Sequence, residues 1–513
     1  MLASAATYAV HGVEAVEVTV EADVRPGLPS FTIVGLPDTA VRESRERVRA
    51  ALVNSGWEFP LQRITVNLAP ADLRKAGPGF DLALAAALLA ASGQVSAERL
   101  GDVAVIGEVG LDGSARAVRG ALAMADACAR GRFAGLIVPC ESAPEASLVD
   151  GLEVLGVATL RQLGDLLAGI ARPDPVRVDR AALLRGPGGD ELDLDQVRGH
   201  VAAKRALEVA AAGGHNVLMI GPPGSGKSML ARRLPSILPP LSLDEALEVT
   251  RVHSVAGLLA GEPLVRRRPF RAPHHSISTP GLIGGGSVPT PGEVSLATRG
   301  VLFLDEVAEF SRAALEALRQ PLEEGCIRIT RSQRTARFPA TFSFVAAANP
   351  CPCGHRGDPR RACRCTQGQI DRQESRLSGP LLDRVDMVLN VQPPARDELI
   401  SGTTGEPSRA VRERVVAARG LQAGRLAGTG VHANSEMTNA MVERHCGLTT
   451  AGRAALRSAH DRVGLSARGH HRVLRVARTL ADLETADRVD RHHVLQAVAY
   501  RERPQSRALE VAA

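Results

Sequence analysis

The chain has 513 residues, 44% of them hydrophobic and 23% charged, the balance of a globular protein long enough for about three domains. Only 3% are aromatic, which argues against nucleic-acid binding by rows of stacked rings. The net charge of +6 is unevenly placed: residues 401–513 carry 18 Arg, no Lys and 11 acidic residues, a net +7, so the rest sums to −1. An Arg-only basic part fits an anionic partner, although solvated Arg-rich surfaces are common without one. The longest apolar run, Leu82 to Ala91, has ten residues, short of the ~20 a membrane span needs. Met1-Leu2-Ala3-Ser4 lacks the basic start of a secretory signal. Of eight cysteines, four cluster between 351 and 365, a metal or redox pattern that suits a reducing compartment, so a cytoplasmic protein is expected.

In chain order, the first ~170 residues alternate strand-like runs (Val16–Val20, Phe31–Val34, Ile64–Asn67) with helical stretches (Arg42–Asn54, Phe80–Ser92), which predicts an α/β domain. A Pro/Gly-rich linker comes next, around Pro173-Asp174-Pro175 and Gly186-Pro187-Gly188-Gly189. Leu192–His200 then leads into a helix over Val201–Ala212.

After that helix come an apolar run, Val217–Ile220, then Gly221-Pro222-Pro223-Gly224-Ser225-Gly226-Lys227-Ser228, then a helical pattern from Met229. Strand, glycine loop and helix in that order form the context of a phosphate-binding P-loop. The glycines let backbone N–H groups curl round a β-phosphate at the positive end of the helix dipole. Lys227 would reach the β/γ-phosphates of ATP, and the Ser228 hydroxyl would hold Mg²⁺. Beyond a Gly/Pro/His-rich stretch (Arg266–Gly292), Gly300–Leu304 reads as a buried parallel strand ending in Asp305 and Glu306. Asp305 would hold Mg²⁺ through water and Glu306 would polarise the attacking water. A helix over Arg312–Glu324 precedes a hairpin, Ile327–Pro339, loaded with Arg328, Arg331, Arg334 and Arg337. The buried strand Phe342–Ala348 ends at Asn349. Cys351, Cys353, Cys363 and Cys365 lie just beyond it, as two C-x-C pairs. Four thiolates fit a structural Zn²⁺ that braces a loop too irregular to bury a core; reduced, metal-free cysteines are the alternative, and His355 is a substitute ligand.

Two resemblances add to this reading. Lys75-Ala76-Gly77-Pro78-Gly79-Phe80-Asp81 and Gly107–Gly113 resemble the proteolytic domain of Lon-type proteases, which uses a Ser–Lys dyad. Gly79 stands at the position of that serine and Met124 at that of the lysine, and a residue without a hydroxyl cannot acylate. The fold is therefore expected without peptidase chemistry, as a docking or DNA-contacting module.

The second resemblance rests on an ordered series: Arg271-Ala272-Pro273-His274-His275, Gly284-Gly285-Gly286, Pro291-Gly292-Glu293, Gly300–Glu306, Asn349-Pro350-Cys351-Pro352-Cys353-Gly354 and Ser378–Arg384. The series is similar to that of the YifB/ComM family, magnesium-chelatase-like AAA+ proteins with a Lon-like N-terminal domain. Ala297-Thr298-Arg299-Gly300 departs from that family's Ala-His-Asn-Gly. The resemblance implies a Lon-like domain over 1–171, a linker over 172–191, an AAA+ P-loop core with a parallel sheet over 192–395 and a C-terminal helical lid over 396–513. It also implies a hexameric ring that hydrolyses ATP between subunits and acts on single-stranded or branched DNA without sequence preference. In ComM-type members this is branch migration during natural transformation. Leu192–His200 would lie beside the adenine, and Asn349 would be the sensor that orients water. Arg384 would be the arginine finger for a neighbouring subunit. Arg468, with Arg472 as the alternative, would close the lid over its own subunit's phosphates. The Arg hairpin is similar to the one that lines the pore in such motors, where phosphate contacts would be salt-sensitive. The alternative function is the ATPase subunit of a metal-insertion complex like magnesium chelatase; an ATP-dependent protease is a third reading, which Gly79 and Met124 argue against.

Overall fold

The computed structural model describes residues 1–185, 192–259, 261–286, 288–331, 334–357, 361–376, 379–394 and 405–501, with the side chains of 331, 334, 374 and 380 outside the description. Strands β1 (Leu2–His11), β2 (Glu14–Arg25), β3 (Ser30–Val34), β4 (Arg63–Ala69), β5 (Val103–Val105), β6 (Gly135–Pro139) and β7 (Glu153–Val157) form one sheet, ordered β3-β4-β2-β1-β5-β6-β7. The long antiparallel pair β1–β2 closes through Gly12-Val13, with Gly12 at φ +68°. Beyond β1 the sheet is parallel.

In β2, Val18, Val20, Ala22 and Val24 are buried and alternate with less buried, mostly polar residues, the period of two that turns one face to a core. That face carries the helix Asp81–Ala91, all eleven residues of which are buried. The ten-residue apolar run of the sequence is thus a wrapped core helix. Its first residue, the buried Asp81, takes a two-pronged ion pair from Arg47 (2.8 and 3.1 Å). Among the described residues no helix is long and apolar enough to cross a membrane. Gly79 sits in the short turn Pro78–Phe80 before this helix. Met124 is buried on the other face of the sheet, among Tyr8, Ala104 and Leu136.

The second sheet is wholly parallel. Its strands are β8 (Val217–Ile220), β9 (Phe270–Arg271), β10 (Val301–Leu304), β13 (Ser343–Ala348) and β14 (Met387–Asn390), ordered β9-β10-β13-β8-β14. The antiparallel hairpin β11 (Cys326–Arg331) and β12 (Arg334–Pro339) stands apart from it, as the sequence predicts. The single helix expected over Arg312–Glu324 is two, Arg312–Ala317 and Arg319–Glu324, meeting at Leu318. Pro321 has no N–H to give the Ala317 carbonyl, and its ring crowds that group, so the first helix stops there.

The C-terminal helices Ser408–Arg425, Thr450–Val463, Ala467–Leu483 and Arg491–Ala499 share one apolar core with the helices Val201–Gly213 and Lys227–Ile237. Val388 of edge strand β14 donates its N–H to the Tyr500 carbonyl at 2.6 Å, so the last helix caps the sheet edge. Much of the C-terminal Arg excess is used internally. Arg425 and Arg478 both bond the buried Asp482, and Arg414 bonds Glu208 and Glu406.

The two sheets are joined where the helix Ala121–Arg130 meets Leu243–Ala256. Leu122 and Leu148 pack with Leu241, Ala246 and Leu264. Beside them the buried Glu145 carboxylate accepts from Leu122 N (2.7 Å) and the Ser254 hydroxyl (2.5 Å), while Ser254 Oγ accepts from Gly120 N (2.8 Å). Burial raises the Glu145 carboxyl above its ordinary 4.5, against the downward pull of those hydrogen bonds. A carboxyl raised on folding stabilises fully below the unfolded value and loses that contribution as pH climbs through the folded one. Glu145→Gln keeps the acceptor and cannot ionise, so its melting temperature relative to wild type should climb as pH rises from about 4.5 to neutrality. Thermal scanning across that range checks this; a difference that is flat with pH would contradict it.

Candidate functional site

β8 lies between β13 and the edge strand β14, so the loop after Ile220 emerges at the sheet's C-terminal edge with a strand on either side. Gly221 N still bonds the Ala348 carbonyl (3.2 Å), and a Cβ on Gly221 would stand 2.1 Å from the Val391 carbonyl oxygen, so only glycine lets the loop leave the strand there. Gly224 (φ +75°) and Gly226 (φ +84°) take the left-handed turns that curl the loop. The helix Lys227–Ile237 then starts with no side chain capping its first turn, which leaves its N–H groups for a ligand.

Lys227 is 7% exposed, and its ammonium donates to Gly221 O (2.7 Å), Pro222 O (2.9 Å) and Asn349 Oδ1 (3.3 Å). Burial lowers its pKa below 10.5, against the upward pull of Asp305 and Glu306. The Ser228 hydroxyl donates to Asp305 Oδ2 at 2.6 Å. Glu306 is exposed and held at φ +50°, with its N–H on Asp305 Oδ1 (3.0 Å). A non-glycine residue in that region carries about 1–3 kcal/mol of strain, of the kind that clusters at functional sites. The Ser225 hydroxyl is buried without a partner. An ammonium on loop carbonyls, an orphaned hydroxyl, uncapped helix N–H groups and a Ser–Asp pair together fit a phosphate chain with a divalent cation. The structure thus brings together Gly221 to Ser228, Asp305, Glu306 and Asn349.

Arg384, Arg468 and Arg472 gather elsewhere. Asn216, the residue before β8, donates its side-chain amide to the Arg384 carbonyl (2.9 Å). These arginines therefore sit at the N-terminal edge of the sheet, a strand length of about 13 Å from the phosphate loop. A cavity of about 800 Å³ there is lined by Asp383, Arg384, Arg468, Arg472 and Arg475 among others. Arg384 pairs with Glu323, and its Nε is buried without a partner. Burial, then the cations Arg468, Arg472 and Arg319, lower its pKa. Arg468 bonds Asp383 (3.3 Å), and the buried Arg472 lies 4.0 Å from the same carboxylate. The expectation that Arg468 closes over its own subunit's phosphates is corrected by this placement, because the helix Ala467–Leu483 starts at the wrong end of the sheet. Arg475 is a member of the group that the motifs do not single out. Residues 468, 472 and 475 share one helical face, a spacing visible in the sequence.

On the hairpin, Ile327, Ala336 and Phe338 face the core, while Arg328 and Arg337 are exposed. The register sets Arg328 directly opposite Arg337, and Arg331 opposite Arg334, whose side chains lie outside the described residues. The Sγ atoms of Cys351, Cys353, Cys363 and Cys365 converge within 4.8 Å of one another. Burial pushes Cys351 up to about 12, and the His355 and Arg364 backbone N–H groups pull Cys353 down to about 6.

Three family models match the chain: subunit ChlI of Mg-chelatase over residues 20–142, magnesium chelatase subunit ChlI over 193–399, and its C-terminal part over 405–501. The chain is 43% identical to YifB of Escherichia coli over 502 residues, 96% of each protein. It is also 43% identical to the competence protein ComM of Haemophilus influenzae over 492 residues, 96% of this chain and 95% of that one. An archaeal Lon protease of Halobacterium salinarum is 35% identical over 119 residues, 21% of this chain and 16% of its own. With this near full-length identity and a phosphate loop on a parallel sheet, the chain belongs to the YifB/ComM family of magnesium-chelatase-like AAA+ ATPases.

Proposed function

We propose that the protein is an ATP-driven motor that acts on single-stranded or branched DNA as a homo-oligomeric ring of six subunits, and aids integration of incoming strands by branch migration. In this reading residues 1–171 form a Lon-like domain without peptidase activity, 172–191 a linker, 192–395 the AAA+ core and 396–513 the helical lid. The observation that carries the DNA partner is the hairpin register. Like charges directly opposite on a strand pair destabilise it; Glu324 offsets Arg328 in part (3.6 Å), and a phosphate between Arg328 and Arg337 removes the remaining cost. The low aromatic content favours the same mode, backbone contact without base reading.

The residues divide the work by their place on the sheet. Gly221–Gly226 and the first N–H groups of the following helix bind the phosphates. Lys227 moves from its loop carbonyls onto the β- and γ-phosphates. Ser228 and Asp305 hold Mg²⁺, which when bound neutralises charge on the triphosphate. Glu306 orients and deprotonates the attacking water, and Asn349 fixes that water's position. Arg384, Arg468 and Arg472, at the opposite edge, reach a neighbour's γ-phosphate across the subunit interface. The four cysteines hold a structural Zn²⁺.

A second reading, the ATPase of a metal-insertion complex, is favoured by the magnesium-chelatase descriptions of all three matching families. DNA separates the two. ATP hydrolysis should be stimulated by single-stranded or forked DNA, and Arg328→Ala with Arg337→Ala should flatten the salt dependence of binding by about 0.7 in log–log slope per lost contact. Wild type that hydrolyses ATP and ignores all DNA forms at low salt would sink the motor.

Glu306→Gln should bind ATP as wild type does and lose about 10²-fold or more in kcat. The division between sheet edges has its own test. Lys227→Ala lacks a working phosphate loop, and Arg384→Ala lacks the finger, worth about 10³–10⁵ in rate. Each alone should be inactive, and mixing them should restore part of the hydrolysis, since an intact loop then meets an intact finger across an interface. Mixtures that stay dead at all ratios would refute action between subunits.

A further inference from the structure

The cysteine cluster is joined to the nucleotide machinery at two points. Cys351 lies two residues past Asn349, and Asn349 receives Lys227 on its side chain and the Gln373 amide on its carbonyl (3.1 Å). Gly354, between the two C-x-C pairs, lies flat against the phosphate loop. A Cβ on it would stand 2.5 Å from Cδ and 2.7 Å from Cγ of Pro223. Within the segment, Cys353 N donates to Cys365 Sγ and Arg356 N to Cys351 Sγ, both at 3.3 Å, so sulfur organises the backbone.

Resting on the nucleotide reading above, we infer that one Zn²⁺ on Cys351, Cys353, Cys363 and Cys365 makes this segment a rigid brace that positions the phosphate loop through Gly354 and Pro223, and Asn349 through the chain itself. Four thiolates complete a tetrahedral shell and leave no open position, which assigns the ion to bracing rather than chemistry. A braced segment holds Pro223 by van der Waals contact from outside, while Val391 stops Gly221 from within. The loop is thereby fixed on both flanks before ATP arrives, and ordering it on binding costs less.

Two glycines of the segment separate contact from strain. Gly354 (φ +80°) faces Pro223, whereas Gly357 (φ +77°) has nothing within 4 Å of its Cβ position. Gly354→Ala and Gly357→Ala share the left-handed penalty, and only the first drives a methyl into the phosphate loop. Zinc in the purified full-length chain is measured by mercurial release, its thiolate shell by the visible spectrum of the cobalt-substituted protein, and nucleotide affinity with a fluorescent ATP analogue. Wild type should hold one zinc per chain. Gly354→Ala should keep that zinc and bind nucleotide about tenfold more weakly, and Gly357→Ala should match wild type in both. Adding Pro223→Ala, which removes the clashing ring atoms, should recover part of the loss in Gly354→Ala. Wild type without zinc or a cobalt–thiolate spectrum overturns the metal site. Gly354→Ala with wild-type affinity overturns the brace. A zinc-loaded wild type that binds no nucleotide overturns the ATPase reading and the brace together, and leaves the metal site standing.

Discussion

The pairing of β8 on both sides constrains everything else in the ATPase module. Val217 to Ile220 run in register with Val345 to Ala348 on one flank and Met387 to Asn390 on the other, so the phosphate loop cannot shift along or across the sheet. In a parallel sheet all strands end on one edge, which is why Asp305 after β10 and Asn349 after β13 arrive beside Lys227 without any long-range sequence signal. The same parallelism sends Asn216, Arg384 and Asp386 to the other edge. One sheet thus has an edge that grips phosphate and an edge that offers guanidinium groups. No motion of a rigid four-residue strand brings them together within a subunit, so in the reading proposed above the two edges meet one nucleotide only across an interface between copies of the chain.

The N-terminal half, built on the first sheet, is packed against this module. Lys75 is its single lysine before residue 200, and that side chain is buried with its ammonium on the Pro70 carbonyl. Gly79 and Met124 stand at the dyad positions of the Lon-type pattern, and neither side chain can act as nucleophile or base. What the domain does offer is contact. At the tip of β1–β2, a Cβ on Gly12 would stand 3.3 Å from the Ala336 side chain and the Arg337 carbonyl, so its turn abuts the outer strand of the Arg hairpin. Glu145 and Ser254 tie its other end to the helix that precedes the Gly/Pro/His-rich stretch. The first sheet therefore touches both the hairpin and the ATPase core.

How much of this was legible depends on the range of the interactions. The phosphate loop, the acids after β10 and the hairpin were readable because each depends on neighbours a few residues away, and so was the buried helix Asp81–Ala91. The edge at which Arg468 lies was not, since it depends on how Ala467–Leu483 packs on Val201–Gly213, more than 250 residues distant. Net charge alone did not say which arginines face solvent. Of the arginines behind the C-terminal +7, Arg425, Arg472 and Arg478 are largely or wholly withdrawn from solvent, two of them onto Asp482, while Arg409, Arg453, Arg457, Arg462, Arg468 and others stay exposed. The broken helix at Leu318 was in the sequence all along as Pro321, outweighed by the apolar pattern around it. Convergence of the four cysteines could be suspected from spacing, but the seat of Gly354 on Pro223 could not, because it joins a loop after β13 to a loop after β8.

That seat and the hairpin bear on each other. β11–β12 precede β13 in the chain, and β13 carries Asn349 and the cysteines at its far end. Among the described residues, the hairpin turns Ile327, Ala336 and Phe338 into the same apolar cluster as Phe344, Ala346 and Ala348 of β13. Close-packed groups transmit displacement rather than absorb it. In the reading proposed above, a phosphate between Arg328 and Arg337 would relieve at most about 0.2–1 kcal/mol of cross-strand repulsion. The apolar faces of both strands pack on β13, whose end holds the residue on which the Lys227 ammonium rests. The chain thus has a packed route from the hairpin to the group that, in the mechanism proposed above, leaves its carbonyls for ATP.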